Sequence, residues 1–182
     1  MANICNFSML VKGKKENIEQ FINMMEQKGT VWMGRGAVIY SQDMEELENG
    51  KYRCQIDGDT KWSVQSSMVD NAISMRTEPE KWSFGNTDKT ELTFVTMFEA
   101  CSQLQLDMEA YSEECGCGFQ EHYVFVDGNL VTEECVDYTE YELDEYETKE
   151  EAEEELEIKI TNEEWDNGIV IRGGLDGWDF EI

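Results

Sequence analysis

Basic residues are scarce in this 182-residue sequence, which carries 14 Lys and Arg against 41 Asp and Glu and has a formal net charge of −27. A surface so poor in cations repels phosphate backbones and anionic lipid headgroups. The composition therefore excludes direct binding to free nucleic acid or to a membrane surface as expected functions. It favours a basic protein as the partner.

The residues of common active sites are also missing. The sequence has one His, and it contains no G-x-S-x-G motif, no P-loop and no G-x-G-x-x-G after a predicted strand. Nucleophilic catalysis and nucleotide-dependent chemistry therefore lack their usual components. We expect a protein that is not an enzyme and that carries no cofactor.

Long apolar runs are absent as well. No stretch approaches the 18 apolar residues of a membrane span, and the first residues lack the basic and apolar regions of a secretory signal. We expect a cytoplasmic protein whose six cysteines are free thiols. The length and the 40% content of hydrophobic residues predict a single domain with a real core.

What the sequence does have is a one-sided distribution of charge. Residues 1–98 contain 14 acids and 11 bases, a net charge of −3, whereas residues 99–182 contain 27 acids and three bases, a net charge of −24. Within residues 133–166, 17 of 34 positions are acidic. Charge that is concentrated in this way indicates an interaction surface more than a general aid to solubility.

The density of this acidic tract suggests what it resembles. If residues 149–158 are helical, six carboxylates span eight residues, about 12 Å at about 1.5 Å per residue. Duplex DNA carries about one charge per 1.7 Å of its axis. We therefore expect a folded surface that mimics DNA or RNA, with a generic acidic contact surface for another basic partner, or solvation alone, as alternatives. The expected partner-binding residues are Glu133, Glu134, Asp137, Glu140, Glu142, Asp144, Glu145, Glu147, Glu150, Glu151, Glu153, Glu154, Glu155, Glu157, Glu163 and Glu164.

A second hypothesis from a different class is a small zinc protein. Thiolates and imidazole are preferred zinc ligands, and four of them would complete a tetrahedron. The candidates are Cys115, Cys117, His122 and Cys135. The spacing Cys-x-Cys lacks the usual zinc knuckle, so two hairpin cysteines and a surface His are the expected arrangement.

Hydrophobic periodicity predicts an α+β fold. The main helices are expected at 15–28, where Ile18, Phe21, Ile22 and Met25 form one stripe, and at 88–103, opened by Asp88 with Glu91 three residues later; a less regular helix is expected at 64–75.

Gly34 and Gly36 indicate a close approach of two backbone segments. The acidic residues 43–48 read as a connection, and the turns are expected at Asn49-Gly50, Asp57-Gly58-Asp59 and Asp127-Gly128. The predicted strands cover 3–11, 30–40, 51–56, 60–64, 104–111, 120–126, 130–138 and 169–171, and short helices are predicted at 149–158 and after Thr161.

Three stretches of the sequence resemble the YubB-type ferredoxin-like family of plasmids, phages and other mobile elements. They are Met1-Ala-Asn-Ile-Cys-Asn, Gly58-Asp59-Thr60-Lys61-Trp62-Ser63, and Tyr111-Ser-Glu-Glu-Cys-Gly-Cys-Gly-Phe119 with the following Tyr123-Val-Phe-Val-Asp-Gly-Asn. The resemblance implies a ferredoxin-like antiparallel sheet packed by two main helices. Residues 1–138 would form this body, and residues 139–182 would form an acidic extension packed on the same domain.

Small, strongly acidic proteins of mobile elements include anti-restriction and anti-CRISPR inhibitors, several of which mimic DNA. In size and charge this chain is similar to the Cas9-directed anti-CRISPR proteins. That resemblance implies that Cas9 with guide RNA is the partner and that DNA binding or cleavage is blocked through the acidic residues named above.

Overall fold

Seven strands form one antiparallel sheet in the computed structural model, which describes residues 3–85 and 87–182. In spatial order these strands are β3 (Val38–Glu46), β4 (Tyr52–Lys61), β1 (Ile4–Gly13), β6 (Asp107–Glu114), β7 (Phe119–Val126), β8 (Asn129–Glu142) and β9 (Ile169–Gly173). Two short strands, β2 (Val31–Met33) and β5 (Thr93–Val95), form a separate parallel pair. The predicted mixture of helices and an antiparallel sheet is confirmed.

Five α-helices accompany the sheet in the described part of the chain: α1 (Lys15–Met25), α2 (Asn71–Thr77), α3 (Met97–Leu104), α4 (Lys149–Glu155) and α5 (Asn162–Asn167). A π-helical turn, Gln65–Asp70, leads directly into α2. None of the helices among the described residues is long and apolar enough to cross a membrane.

The main core lies between one face of the sheet, the helices α1 and α3, and the π-helical turn that precedes α2. The predicted stripe of α1 is buried, since Ile18, Phe21, Ile22 and Met25 all belong to this core. Methionines from several elements fill the space between the helices and the sheet, as expected of a flexible side chain that fits irregular gaps.

The predicted turn at Asp57-Gly58-Asp59 is wrong, because β4 runs straight through it. Gly58 pairs with Phe7 on one side and with Ile39 on the other. A Cβ atom at Gly58 would lie 2.9 Å from the Phe7 ring and 2.4 Å from the Val38 carbonyl oxygen. A glycine is therefore required by the close approach of the neighbouring strands.

The acidic residues 43–48 were expected to form a connection, but they continue β3 as far as Glu46.

The predicted start of the second main helix is also wrong. Asp88 accepts a hydrogen bond from the Thr90 N–H, but it opens only a 3₁₀ turn, and β5 follows. The helix begins later, where Thr96 and Glu99 form a complete capping box in which each side chain accepts from the backbone N–H of the other. Phe94, which falls within the predicted helix 88–103, therefore lies in a strand.

A second, smaller core holds the acidic part of the chain. Leu143, Ala152, Ile160 and Val170 are buried there, and partly buried aromatic and aliphatic side chains surround them. The long strand β8 connects the two regions, because its residues 129–137 pair with β7 and its residues 138–142 pair with β9.

The part of the other sheet face that lies over β6 is covered by residues 174–182, which we call the closing segment. Trp178 stacks on Tyr111, with ring centroids 5.9 Å apart. The carboxylate of Glu109 accepts hydrogen bonds from the backbone N–H groups of Glu181 and Ile182, at 2.6 and 3.1 Å. Glu109 is only 1% exposed, so β6 is buried on both faces and is not the half-buried strand that its alternation predicts.

Candidate functional site

The structure places fourteen of the sixteen predicted partner-binding residues at the solvent-exposed surface. We call these residues the acidic surface. They are Glu133, Glu134, Asp137, Glu140, Glu142, Asp144, Glu145, Glu147, Glu150, Glu151, Glu154, Glu155, Glu157 and Glu163. In the described part of the chain, no Lys or Arg forms an ion pair with any of the fourteen.

Helix α4 carries the densest part of the acidic surface. Ala152 faces the small core, and Glu150, Glu151, Glu154 and Glu155 occupy the solvent side. The helix ends at Glu155, earlier than predicted, and Glu157 follows it in a left-handed conformation with φ of 55°. Four exposed carboxylates within five residue steps span about 7.5 Å, close to the expected density of one charge per about 2 Å.

Like charges at i, i+3 and i+4 oppose a helix of this composition. The first turn compensates, because the Thr148 hydroxyl accepts from the Glu151 N–H and the Glu151 carboxylate accepts from the Glu147 N–H. Two acids near the helix N-terminus also interact favourably with its dipole. Packing of Ala152 in the small core also stabilises the helix.

Strand β8 distributes its acids over both faces. Residues directly opposite each other in an antiparallel pair share a face. Glu133 lies opposite Tyr123, on the side of the main core, whereas Glu134 lies opposite His122, on the side of the closing segment. The acidic surface therefore wraps around this end of the sheet and does not form one flat patch.

Two predicted binding residues serve the fold instead. Glu164 completes a capping box with Thr161 and pairs with Arg172, which also donates to the Lys159 carbonyl oxygen. The Arg172 guanidinium and the Thr161 groups lower the pKa of Glu164 to about 2. Glu153 accepts from the Ile160 N–H at 2.9 Å, and this bond together with nearby Lys159 lowers its pKa. Both carboxylates hold the small core together.

The negative potential of the acidic surface affects Tyr146, which lies among these carboxylates. Burial, followed by the charges of Glu155, Glu145 and Glu151, raises the pKa of its hydroxyl. A phenolate is disfavoured there because it would add another negative charge.

The sequence reasoning missed three exposed acids of the closing segment. Asp176, Asp179 and Glu181 line a cleft together with Glu134 and His122. They add exposed carboxylates on the outer face of the sheet, next to Glu134 of the acidic surface. These three acids do not form a continuous run in the sequence, so only the path of the closing segment shows that they lie close to Glu134.

The structure does not bring the four zinc candidates together. Cys115 and Cys117 lie at the exposed turn between β6 and β7, where the Asn3 amide donates to the Cys117 sulfur. His122 stacks on Tyr111 and contacts Glu109 through Nε2 at 3.0 Å, on the face opposite to Cys135. No metal-binding group of three or more His, Cys, Asp or Glu residues exists among residues 3–85 and 87–182. All six cysteines are free thiols, as expected.

Comparison with known proteins gives no match to a family model, to a curated protein or to a solved structure.

Proposed function

We propose that this chain is a nucleic-acid mimic that binds a basic nucleic-acid-handling protein through the acidic surface and blocks its nucleic-acid site. The observation that carries the proposal is that fourteen carboxylates are exposed and have no Lys or Arg partner among the described residues. Carboxylates without internal partners are available to a partner's Lys and Arg. Their approach would release counterions, as nucleic acid does when it binds.

The partner that we propose is Cas9 with guide RNA, and the activity is anti-CRISPR inhibition of DNA binding or cleavage. The charge distribution supports this choice, since a channel for nucleic acid offers a long row of cations to a polyanion. In this proposal the chain is not an enzyme. His122 supports that part, because it is packed between Glu109 and Tyr111 and is partly covered by the closing segment.

We further infer a ferredoxin-like body, residues 1–138, with residues 139–182 as an acidic extension on the same domain. The central strand order β3-β4-β1-β6 supports this topology, as do the helices α1 and α3 on one face. β9, which pairs with the far end of β8, is an addition to the pattern of that body.

The test is a charge reversal confined to the part of the acidic surface that the fold does not use. Glu150, Glu154, Glu155 and Glu157 are exchanged for Lys, and Glu153 is left in place because it accepts from the Ile160 N–H. We expect the affinity for Cas9 with guide RNA to fall at least about a hundredfold, if each lost contact is worth only about 0.7 kcal/mol. Inhibition of DNA cleavage should be lost with it.

The matched control changes the net charge by the same amount in the other half of the chain. Glu16, Glu19, Glu48 and Glu91 are exposed and form no ion pair in the described residues, and they are exchanged for Lys. We expect this variant to bind and inhibit nearly as the native chain does. If both variants lost the same affinity, the loss would be explained by net charge alone. If the variant of the acidic surface bound as the native chain does, the proposal would be wrong.

A further inference from the structure

A pocket of about 780 Å³ lies at the edge of the sheet opposite to the acidic surface, beside β3 and the end of β4. Volumes between about 300 and 1,000 Å³ are typical of small-molecule sites. Its described lining combines three aromatic side chains, three basic side chains and a single carboxylate. These are Trp32, Trp82, Phe84, Arg35, Lys61, Lys81 and Asp59.

The loop that presents Arg35 is held rigidly by its neighbours. The Arg35 N–H donates to the Ser67 carbonyl oxygen at 2.9 Å, and the Ala37 N–H donates to the Met25 carbonyl oxygen at 2.8 Å. A Cβ atom at Gly34 or Gly36 would lie 2.1 Å from one of these two oxygens, and both glycines have positive φ. The predicted close approach of backbone at these glycines is confirmed. The loop is therefore ordered before any ligand arrives, and this lowers the entropy cost of binding.

The aromatic side chains are also fixed, and their polar tips are already satisfied. The Trp32 indole donates to the Gly29 carbonyl oxygen at 2.9 Å, and the Trp82 indole donates to the Ser74 hydroxyl at 3.1 Å. Both rings are half-buried, as is Phe84. The Arg35 guanidinium lies 5.0 Å from the centre of the Trp82 ring. Half-buried rings and a stacked guanidinium offer flat surfaces to a planar ligand.

Two of the cations have no carboxylate partner in the described chain. Lys81 pairs with Glu78, but Arg35 and Lys61 form no ion pair. They are free to bind an anion.

The acidic surface lies too far away to repel such an anion strongly. Four strand-to-strand steps separate β4 from β8, about 19 Å at the usual spacing of about 4.8 Å. This distance exceeds two Debye lengths at physiological ionic strength, where one Debye length is about 8 Å. The half of the sequence that forms the pocket has a net charge of only −3.

We propose that this pocket binds a nucleotide, with the base stacked on the aromatic side chains and the phosphate held by Arg35 and Lys61. Asp59, the one carboxylate of the described lining, accepts a hydrogen bond from a sugar hydroxyl or a base amino group. The ligand is a free mononucleotide or the phosphorylated end of a single strand, which share this chemistry. The site is separate from the acidic surface and does not depend on its function.

Calorimetric titration of the full chain with AMP, UMP, adenosine, inorganic phosphate and a 5′-phosphorylated tetranucleotide tests the proposal. We expect at least one mononucleotide to bind with a Kd below about 1 mM, and about tenfold more tightly than adenosine or phosphate alone. Tighter binding of the tetranucleotide assigns the site to single strands, and equal or weaker binding assigns it to free nucleotides. Failure of both mononucleotides to saturate the chain, or equal binding of adenosine or phosphate, overturns the proposal.

Variants of two lining side chains, with two controls, complete the test. Arg35→Gln keeps the backbone bonds of the loop and should raise the Kd about tenfold, and Trp82→Leu should weaken binding in the same sense. Lys51→Gln, at the residue that precedes the opposite end of β4, should leave the Kd unchanged. Reversal of Glu150, Glu154, Glu155 and Glu157 to Lys should also spare it, so this result is distinguishable from failure of the proposed inhibitor function. Equal effects of Arg35→Gln and Lys51→Gln contradict the assignment.

Discussion

Arg172 shows how a single cation organises the region around the small core. It is the only Arg among residues 99–182, and it connects the Glu164 carboxylate on α5 with the Lys159 carbonyl oxygen beside β9. The same residue type has a different role in Arg53, whose pair with Glu45 lies at the solvent-exposed edge of the sheet.

We predict that Arg172→Gln destabilises the chain more than Arg53→Gln does. An exposed pair such as Arg53 with Glu45 contributes about 0–1 kcal/mol, whereas loss of Arg172 also leaves the Lys159 carbonyl oxygen without this donor and the Glu164 carboxylate without its cation. Urea unfolding of both variants at pH 7 measures the difference. Equal midpoints for the two variants would contradict this role of Arg172.

The pair also predicts a specific acid dependence. The pKa of Glu164 is about 2 in the folded chain and 4.5 in its ordinary state. A lowered pKa contributes stability that is complete above about pH 4.5 and is lost as the pH falls from 4.5 towards 2. The free energy of unfolding of the native chain should therefore decline across this window, and the decline should be smaller in Glu164→Gln. An identical pH profile for the variant would show that Glu164 does not carry this dependence.

At the scale of elements, the closing segment is the least expected part of the structure. It has no helix or strand between residues 174 and 182, yet it covers Tyr111 and satisfies the buried Glu109. The ring of Tyr111 lies between His122 and Trp178, with centroids 4.2 and 5.9 Å away. Burial, followed by the Glu109 carboxylate, raises the pKa of the Tyr111 hydroxyl to about 12.

We predict that Trp178→Ala lowers the free energy of unfolding by about 1–2 kcal/mol, because half of a large aromatic surface and one stacking contact are lost. Tyr40→Ala is the matched control, since Tyr40 is 64% exposed and should change stability by less than about 0.5 kcal/mol. Hydrogen exchange should also be faster at the amides of β6 and β7 in Trp178→Ala alone. Similar unfolding midpoints for the two variants would mean that the segment does not stabilise the sheet.

Elements that are determined by residues close in the sequence could be predicted. Elements that are determined by contacts between distant residues could not. The stripe of α1 is a local pattern, and its helix was found. Gly58 resembles a turn residue in the sequence, but a glycine is needed there because a Cβ atom would contact the Phe7 ring on the neighbouring strand. Glu109 looks solvent-exposed, but its cover is a segment about 70 residues later in the chain. The exposure of the acidic surface was expected because so many adjacent carboxylates cannot all be buried.

At the scale of the whole molecule, the acidic surface and a pocket whose charged side chains are mainly cationic lie near opposite edges of one sheet. The acidic surface occupies the edge formed by β8, β9 and α4, and the pocket with Arg35 and Lys61 lies near β3 and β4. The first edge suits a cationic groove, and the second suits a small anion. The central strands and the main core keep the two surfaces apart, so each can be altered without the other.

The most direct test of the acidic surface as a nucleic-acid mimic is a competition measurement. Catalytically inactive Cas9 with guide RNA is incubated with increasing amounts of the native chain, and its affinity for a labelled target duplex is then measured at low and at moderate salt. The account predicts that the apparent Kd for the duplex rises in proportion to the concentration of the chain, and less steeply at the higher salt concentration. A duplex affinity that stays constant while the chain is bound would contradict it.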